Sequence, residues 1–476
     1  MSFSERRGRR GRRNPRALAL LAAASLILVA ASAAASPIDD PFVTGMSFSG
    51  PTSGDLGAIY WNPAALGLMR GFQLMVAGTA RWSSVGASLP AGAANATDFR
   101  QPFQWPPGPG GYVALGYGSD RFTLAFATYM PYLEQIHFPI SATGNEPTRY
   151  QVLSVDLRNL ALVPALAIRF GNDLRIGLSS GFMFSTGSLS FAEDLGGMQN
   201  AADDARYDIN SGQGIGDAKF SVTLGGGIYW RHKNLELGLS YQSHPLAGQL
   251  GGVEVAGDTT TVTRPPSQGG GFATCGGQSS RCVFGDIAYR LPDVFIGGAT
   301  WHLRPGLELN VMARWLWTHE HDRIDIRLVG PTLEADGLPQ HIVLYRGFHD
   351  VVDTRARIAY WWRERLRIGA ELRVENGAVD SNAVNASAVD GWQVEPVILA
   401  ELRLSRRFWL GAGYGLTIMP NVTVTNSIFG RTAPCTDGDL NGAACQARAN
   451  GTDRPSANGT YTSLVQDFGL TFTFRL

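Results

Sequence analysis

Tight and long connections alternate along this chain. Fourteen β-segments are recognised, at roughly 71–82, 110–118, 121–130, 151–170, 173–186, 216–231, 234–243, 286–303, 306–319, 350–363, 365–375, 391–405, 407–418 and 460–476. Six joins are tight: Ser119-Asp120, Gly171-Asn172, His232-Lys233, Arg304-Pro305, Glu364 and Arg406. The others, 83–109, 131–150, 187–215, 244–285, 320–349, 376–390 and 419–459, are long. With an even strand count, strict alternation places every long connection at one end. Bacterial outer-membrane barrels are built this way, with short periplasmic turns and long outer loops. A soluble sandwich has no reason to keep that asymmetry.

The side-chain pattern assigns the faces. In 307–317 the odd positions are Leu307, Leu309, Val311, Ala313, Trp315 and Trp317, while Glu308, Asn310 and Arg314 lie between them. In 365–375 Leu366, Ile368, Ala370, Leu372 and Val374 oppose Arg365, Arg367, Gly369, Glu371, Arg373 and Glu375. Hydrocarbon cannot satisfy backbone polar groups, so strands cross it only as a closed barrel. The apolar faces therefore point to lipid and the charged faces to the lumen, where Arg367, Glu371, Arg373, Glu401 and Arg403 pair across strands. Pro164 and Pro396 fall inside strands, and a closed barrel has no edge to hold them, so bulges or kinks are expected there. The fold class expected is an all-β, fourteen-stranded antiparallel transmembrane barrel.

Composition excludes the competing classes. Charged residues are 17% of the chain, against about 25% in soluble domains. Aromatics reach 10%, too many for a disordered polymer. No apolar run of about 20 residues follows residue 35, so the chain is not a helical membrane protein. Residues 1–35 read as a cleaved signal peptide: a basic start, the apolar run Ala17 to Val29, then Ala30-Ala31-Ser32-Ala33-Ala34-Ala35. The first 16 residues hold seven arginines and one acid, leaving 33 basic against 39 acidic residues. A net acidic remainder argues against nucleic acid as a partner.

Between signal and barrel, residues 36–70 are apolar and nearly uncharged. They end in Asn62-Pro63-Ala64-Ala65-Leu66. This stretch resembles the N-terminal hatch of the FadL family, outer-membrane transporters of long-chain fatty acids and other hydrophobic compounds. Arg290-Leu291-Pro292-Asp293 is similar to the family's Leu-Pro-Asp strand opening. The run from His349 to Thr354 falls where the family has a Trp/Asp/Thr stretch, without the Trp. The resemblance implies a hatch (36–70) plugging the lumen of a barrel (71–476). It also implies capture of a hydrophobic small molecule outside, passive passage, and sideways release where a strand kinks. Of the family's residues, Asn62, Pro63 and Ala64 carry over. Phe42, Met46, Phe48, Tyr60 and Trp61 are candidate ligand-facing side chains. No cofactor, metal or catalytic residue is expected. The partners expected, besides the ligand, are outer-membrane lipid and lipopolysaccharide. Barrel assembly machinery is a further one, since Phe468, Leu470, Phe472, Phe474 and Leu476 resemble its C-terminal signal. The protein is expected to be a monomer in the outer membrane.

Other constellations weigh less. Gly177-Leu178-Ser179-Ser180-Gly181 matches a hydrolase pattern but lies in a strand rather than at a strand–helix elbow. His319-Glu320-His321-Asp322 could bind a divalent ion or simply line a solvated rim. Cys275 with Cys282 and Cys435 with Cys445 read as two loop disulfides, although four cysteines allow three connectivities. Four Asn-x-Ser/Thr matches are read as chance. A general porin for polar solutes, and an outer-membrane adhesin or enzyme, remain the alternatives.

Overall fold

The computed structural model describes residues 46, 48–88, 99–101, 108–138, 148–149, 151–194, 204–210, 219–246, 253–256, 259–263, 272–274, 284–329, 340–428 and 457–476. Residues 1–35, Phe42 and the four cysteines lie outside them.

Fourteen antiparallel strands close on themselves. They are β1 (Gly71–Ser88), β2 (Gly108–Gly118), β3 (Phe122–His137), β4 (Ser154–Phe170), β5 (Leu174–Asp194), β6 (Lys219–His232), β7 (Leu235–Gln242), β8 (Val294–Arg304), β9 (Leu307–Leu316), β10 (Val351–Trp362), β11 (Leu366–Glu375), β12 (Gln393–Arg403), β13 (Phe408–Ile418) and β14 (Gly459–Arg475). Each pairs with the next in sequence, and β14 closes on β1 from Gln73↔Arg475 to Ser88↔Thr460. The long closing seam leaves no barrel edge unpaired, as the hydrocarbon requires.

Four of the six tight joins use left-handed residues. Arg363 and Glu364 both have positive φ, as do Gly171, Lys233 and Gly306. Turns of that hand match the twist of the strands they join.

The alternation of faces follows the sequence. Along β10 the burial alternates strictly from Val351 to Tyr360, with Val352, Ile358 and Tyr360 outward and Asp353, Arg355 and Arg357 buried inward. Inside, Asp353 lies in a ring of guanidinium groups. Arg314 Nε donates to it at 2.8 Å, Arg355 Nη2 at 2.6 Å and Arg373 Nε at 3.1 Å. Arg81 grips Asp467 with two parallel bonds of 2.7 and 2.9 Å. These pairs tie neighbouring strands together on the lumen face. Removing one member of a buried pair leaves an uncompensated charge, which costs about 3–5 kcal/mol.

Three local expectations change. The segment read as 286–303 is two strands. Phe284–Tyr289 leaves the wall and joins Val253–Ala256, Arg323–Val329 and His341–Tyr345 in a separate four-stranded sheet at the loop end. The break falls at 290–293, where Pro292 has no N–H to give and the Asp293 carboxylate accepts from the His244 backbone N–H instead. Stretches read as plain loops thus contain strands; Asp204–Asn210, Thr259–Thr263 and Phe272–Thr274 further extend β5 outward. Finally, Pro164 and Pro396 do not shift register. Phe126↔Pro164 and Leu372↔Pro396 are ordinary pairs on one side, and on the other the ladder resumes in the same register after a gap. Both are outward-facing, where the ring meets lipid. Register shifts lie elsewhere: in β3 between Tyr129 and Tyr132, at Met130-Pro131, in the length of the wall, and in β8 between His302 and Arg304, beside the tight turn.

Ile398 is 65% exposed in the middle of β12. Ile398→Arg should lower barrel stability by about 2–4 kcal/mol while Ile398→Leu leaves it nearly unchanged. Urea unfolding in lipid vesicles measures the difference, and equal midpoints would reverse the face assignment.

Candidate functional site

Residues 48–70 lie inside the barrel. Their one short helix, Ala58–Trp61, runs into a 3-10 segment, Pro63–Leu68, with Asn62 between them. Asn62 is fully buried and uses both ends of its amide. Its Oδ1 accepts from Ala64 N at 3.0 Å, capping the 3-10 segment, with Pro63 placed where no N–H is needed. Its Nδ2 donates to Pro51 O at 2.8 Å and to Ile228 O, on strand β6, at 3.1 Å. One side chain therefore folds the segment on itself and fastens it to the wall. Ser240 donates to Trp61 O at 2.6 Å and Tyr112 to Leu56 O at 2.6 Å, adding anchors on β7 and β2. Arg169 closes the far end, donating to the carbonyls of Gly67, Met69 and Ser119.

A saddle of four glycines makes this approach possible. Gly177 on β5 pairs with Gly227 on β6, and Gly238 on β7 pairs with Gly298 on β8. A methyl group at Gly177 would overlap the Pro63–Ala64 peptide, and one at Gly227 would overlap the Asn62 amide. At Gly238 it would meet the Pro51 carbonyl, and at Gly298 it would stand 2.6 Å from the Pro51 ring. The saddle escaped the sequence reading. The available signal was glycine at inward parity on four consecutive strands. It also gives Gly177, first residue of the hydrolase-like pattern, a packing role.

The structure separates the ligand-facing candidates. Met46 and Trp61 are buried in the large apolar cluster, and Tyr60 packs against it. Trp61 lies under Arg355 and Arg314, with guanidinium carbons 5.1 and 5.7 Å from its ring. Tyr60 meets Tyr129 edge-on at 5.6 Å, and Tyr129 stacks on Tyr112 at 5.5 Å. Phe48 belongs elsewhere. It packs with Ala359, Val397 and Leu399, with Arg367 4.3 Å above its ring. Its φ of 63° is held by donors to its carbonyl, Ser53 Oγ at 3.0 Å and Arg357 Nη2 at 3.1 Å.

Two environments flank the segment. Toward the turn end lies a cavity of about 300 Å³ whose lining includes Asp55, Arg231, Glu236, Glu308, Arg357, Arg367, Glu401 and Arg475, with Phe48, Leu68, Trp361 and Trp409 also in its wall. Toward the loop end the apolar cluster continues through Ile136, Tyr207, Ile287, Tyr289, Ile324, Ile326 and Phe348. Just beyond the β3 register shift, Glu134 takes two bonds from Arg346, at 2.9 and 2.8 Å. Arg346 also donates to His321 Nε2 at 2.8 Å, while His321 Nδ1 donates to the Arg290 carbonyl.

The run His319–Asp322 does not act as a unit. His319 turns to Asp350 at 2.5 Å, and Asp322 accepts from the Phe348 N–H at 2.8 Å. Of the run, Glu320 joins a group of three metal-type donors among the described residues, with His244 and Asp293.

A family model described as outer membrane protein transport protein (OMPP1/FadL/TodX) matches residues 22–383. No curated protein matches by sequence. Among solved structures, a FadL homologue of Pseudomonas aeruginosa superposes with a TM-score of 0.68 at 12% identity, covering 94% of this chain and 99% of that one. The Pseudomonas putida toluene transporter TodX gives 0.64 at 11% identity, with 92% and 98% covered. The Ralstonia pickettii toluene transporter TbuX gives 0.60 at 11%, with 92% and 99% covered. At these identities the likeness establishes the fold.

Gly227→Val should force the Asn62 amide off the wall without altering the lipid face. Protease cleavage within 48–70 should then appear in folded barrels, where the parent protein resists. A second expectation concerns pH. Burial, then the Arg346 charge, push the His321 pKa down to about 3. The unfolded chain therefore binds that proton first. The stabilisation is complete above about pH 6.5 and shrinks as pH falls toward 3, by at most about 1.4 kcal/mol per unit. Unfolding midpoints measured from pH 7.5 to 5 should fall in the parent and flatten in His321→Asn.

Proposed function

The chain belongs to the OMPP1/FadL/TodX family of outer membrane transport proteins, channels for hydrophobic compounds rather than enzymes, and from that premise we propose passive import of hydrophobic small molecules with sideways release at β3. The carrying observation is the contact of Tyr60 with Tyr129, immediately before the shift at Met130-Pro131. A bulge leaves a residue unpaired and bends its strand, so it weakens the wall there; the other shift, between His302 and Arg304, lies at a tight turn away from the Tyr60 contact. The segment 36–70 acts as a hatch, and its apolar surface guides cargo to that place.

The charge distribution supports the same route. An apolar molecule entering at the loop end meets the apolar cluster first. Continuing straight through would carry it into the cavity of Arg and Glu side chains, where polar groups would lose water without gaining partners. The hydrocarbon beside β3 is the lower free-energy exit. A general porin would need that polar cavity joined to the outside, and the hatch lies across the path. Long-chain fatty acids and monocyclic aromatics are both candidate cargoes. A signal peptide at 1–35 delivers the chain to the outer membrane, and the apolar face of β14 recruits the assembly machinery.

Deleting Pro131 should restore the β3 register and reduce uptake of labelled oleate or toluene by cells to that of cells lacking the protein. Deleting 48–66 should raise single-channel conductance to small ions and abolish saturable uptake. Undiminished uptake in the Pro131 deletion removes β3 as the exit, and unchanged conductance in the second variant removes the hatch. Comparing the two labels assigns the cargo.

A further inference from the structure

We propose that His244, Asp293 and Glu320 form a binding site for a divalent transition ion of the Zn²⁺ class at the outer rim of the barrel. The three residues come from separate elements. His244 follows β7, Asp293 precedes β8, and Glu320 sits in the 3-10 turn Thr318–His321 beyond β9. One donor atom from each lies within 4.8 Å of the other two. His244 Nδ1 is 3.0 Å from Asp293 Oδ2 and 3.7 Å from Glu320 Oε2. Ligand atoms around such an ion, at bond lengths of about 2.1 Å, stand about 3.0–3.5 Å apart. The three donors, within 4.8 Å of one another, stand slightly wider than that, so a bound ion would draw the Glu320 carboxylate inward.

The surroundings favour an ion over a bare imidazole–carboxylate pair. Asp293 is already oriented, since its Oδ1 accepts from Tyr241 OH and from His244 N, each at 2.8 Å. Hydrogen bonds of this kind fix a ligating carboxylate and hold its second oxygen in place, here facing His244 Nδ1 at 3.0 Å, the contact an ion would replace. Glu320 is placed by its backbone, its N–H donating to Trp317 O at 3.1 Å, while Trp317 N donates to Asp293 O at 3.0 Å. Its carboxylate has no hydrogen bond donor among the described residues. Two carboxylates facing one imidazole leave excess negative charge, which a divalent ion neutralises. All three side chains are half-buried, so an ion has access and keeps open positions for water. Binding would pin the outer ends of β7, β8 and β9 together.

The test uses the full barrel in detergent micelles, freed of metal and titrated with Zn²⁺ by calorimetry, with Co²⁺ as a spectroscopic probe. About one equivalent should bind, and the Co²⁺ complex should show visible d–d bands without a thiolate charge-transfer band. His244→Gln and Glu320→Gln should each weaken binding about tenfold or more. Heat-modifiable gel mobility confirms that both variants are folded. Wild-type protein that takes up no Zn²⁺, or variants that bind as it does, would overturn the site, and thiolate bands would assign the metal to the cysteines instead.

Discussion

A bilayer offers the backbone no partner, and every feature of this chain follows from meeting that condition. The only sheet that can cross is one without edges, so fourteen strands close through the long β14–β1 seam. Closure at this width creates a lumen too large for wall side chains alone to fill. The chain meets the consequence in two ways. Charged side chains such as Asp353 with its three arginines span part of the space, and residues 48–70 occupy much of the rest.

An inner segment must in turn satisfy its own polar groups. It borrows partners from the wall: Ile228 O, Ser240, Tyr112 and Arg169. Hydrogen bonds to wall backbone require close approach, and close approach requires wall residues without a Cβ. The paired glycines 177/227 and 238/298 supply that. The saddle, the buried amide of Asn62 and the fixed φ of Pro63 thus form one device. The segment then divides the lumen into an apolar side and a side rich in charge, a division that supports the proposed route.

Sequence made the strands legible because lipid enforces period two on the outer face. Val352, Ile358 and Tyr360 had to alternate with polar residues, and strand limits read from that pattern fall within a few residues of those observed, apart from the outer ends of β1, β3, β5 and β8. The tight joins were equally clear, being set by turn chemistry. What the sequence hid depends on three-dimensional neighbours. Pro131 looked like the start of a loop, because its strand continues past the apolar pattern. Pro164 and Pro396 looked like breaks, yet facing lipid they interrupt a ladder without moving it. Phe284–Tyr289 looked continuous with β8 because both stretches are apolar; only the Asp293 carboxylate, bonded to residues about 50 positions away, reveals the corner. The inward glycines carry no side chain, so their parity on four consecutive strands is the one trace they leave.

On the proposed route, cargo leaves through the wall while the inner segment stays seated. Thr52 and Thr300 hold segment and β8 together with hydroxyl oxygens 2.7 Å apart. Replacing both, Thr52→Cys with Thr300→Cys, and oxidising the pair would lock the segment to the wall by a covalent bond. The most direct measurement is uptake of a labelled hydrophobic compound by this variant before and after reduction, with the parent protein as control for its own four cysteines. Exit through the wall requires equal uptake in the locked and reduced states. Uptake that stops on locking and returns on reduction would show that cargo passes the segment itself, and would contradict it.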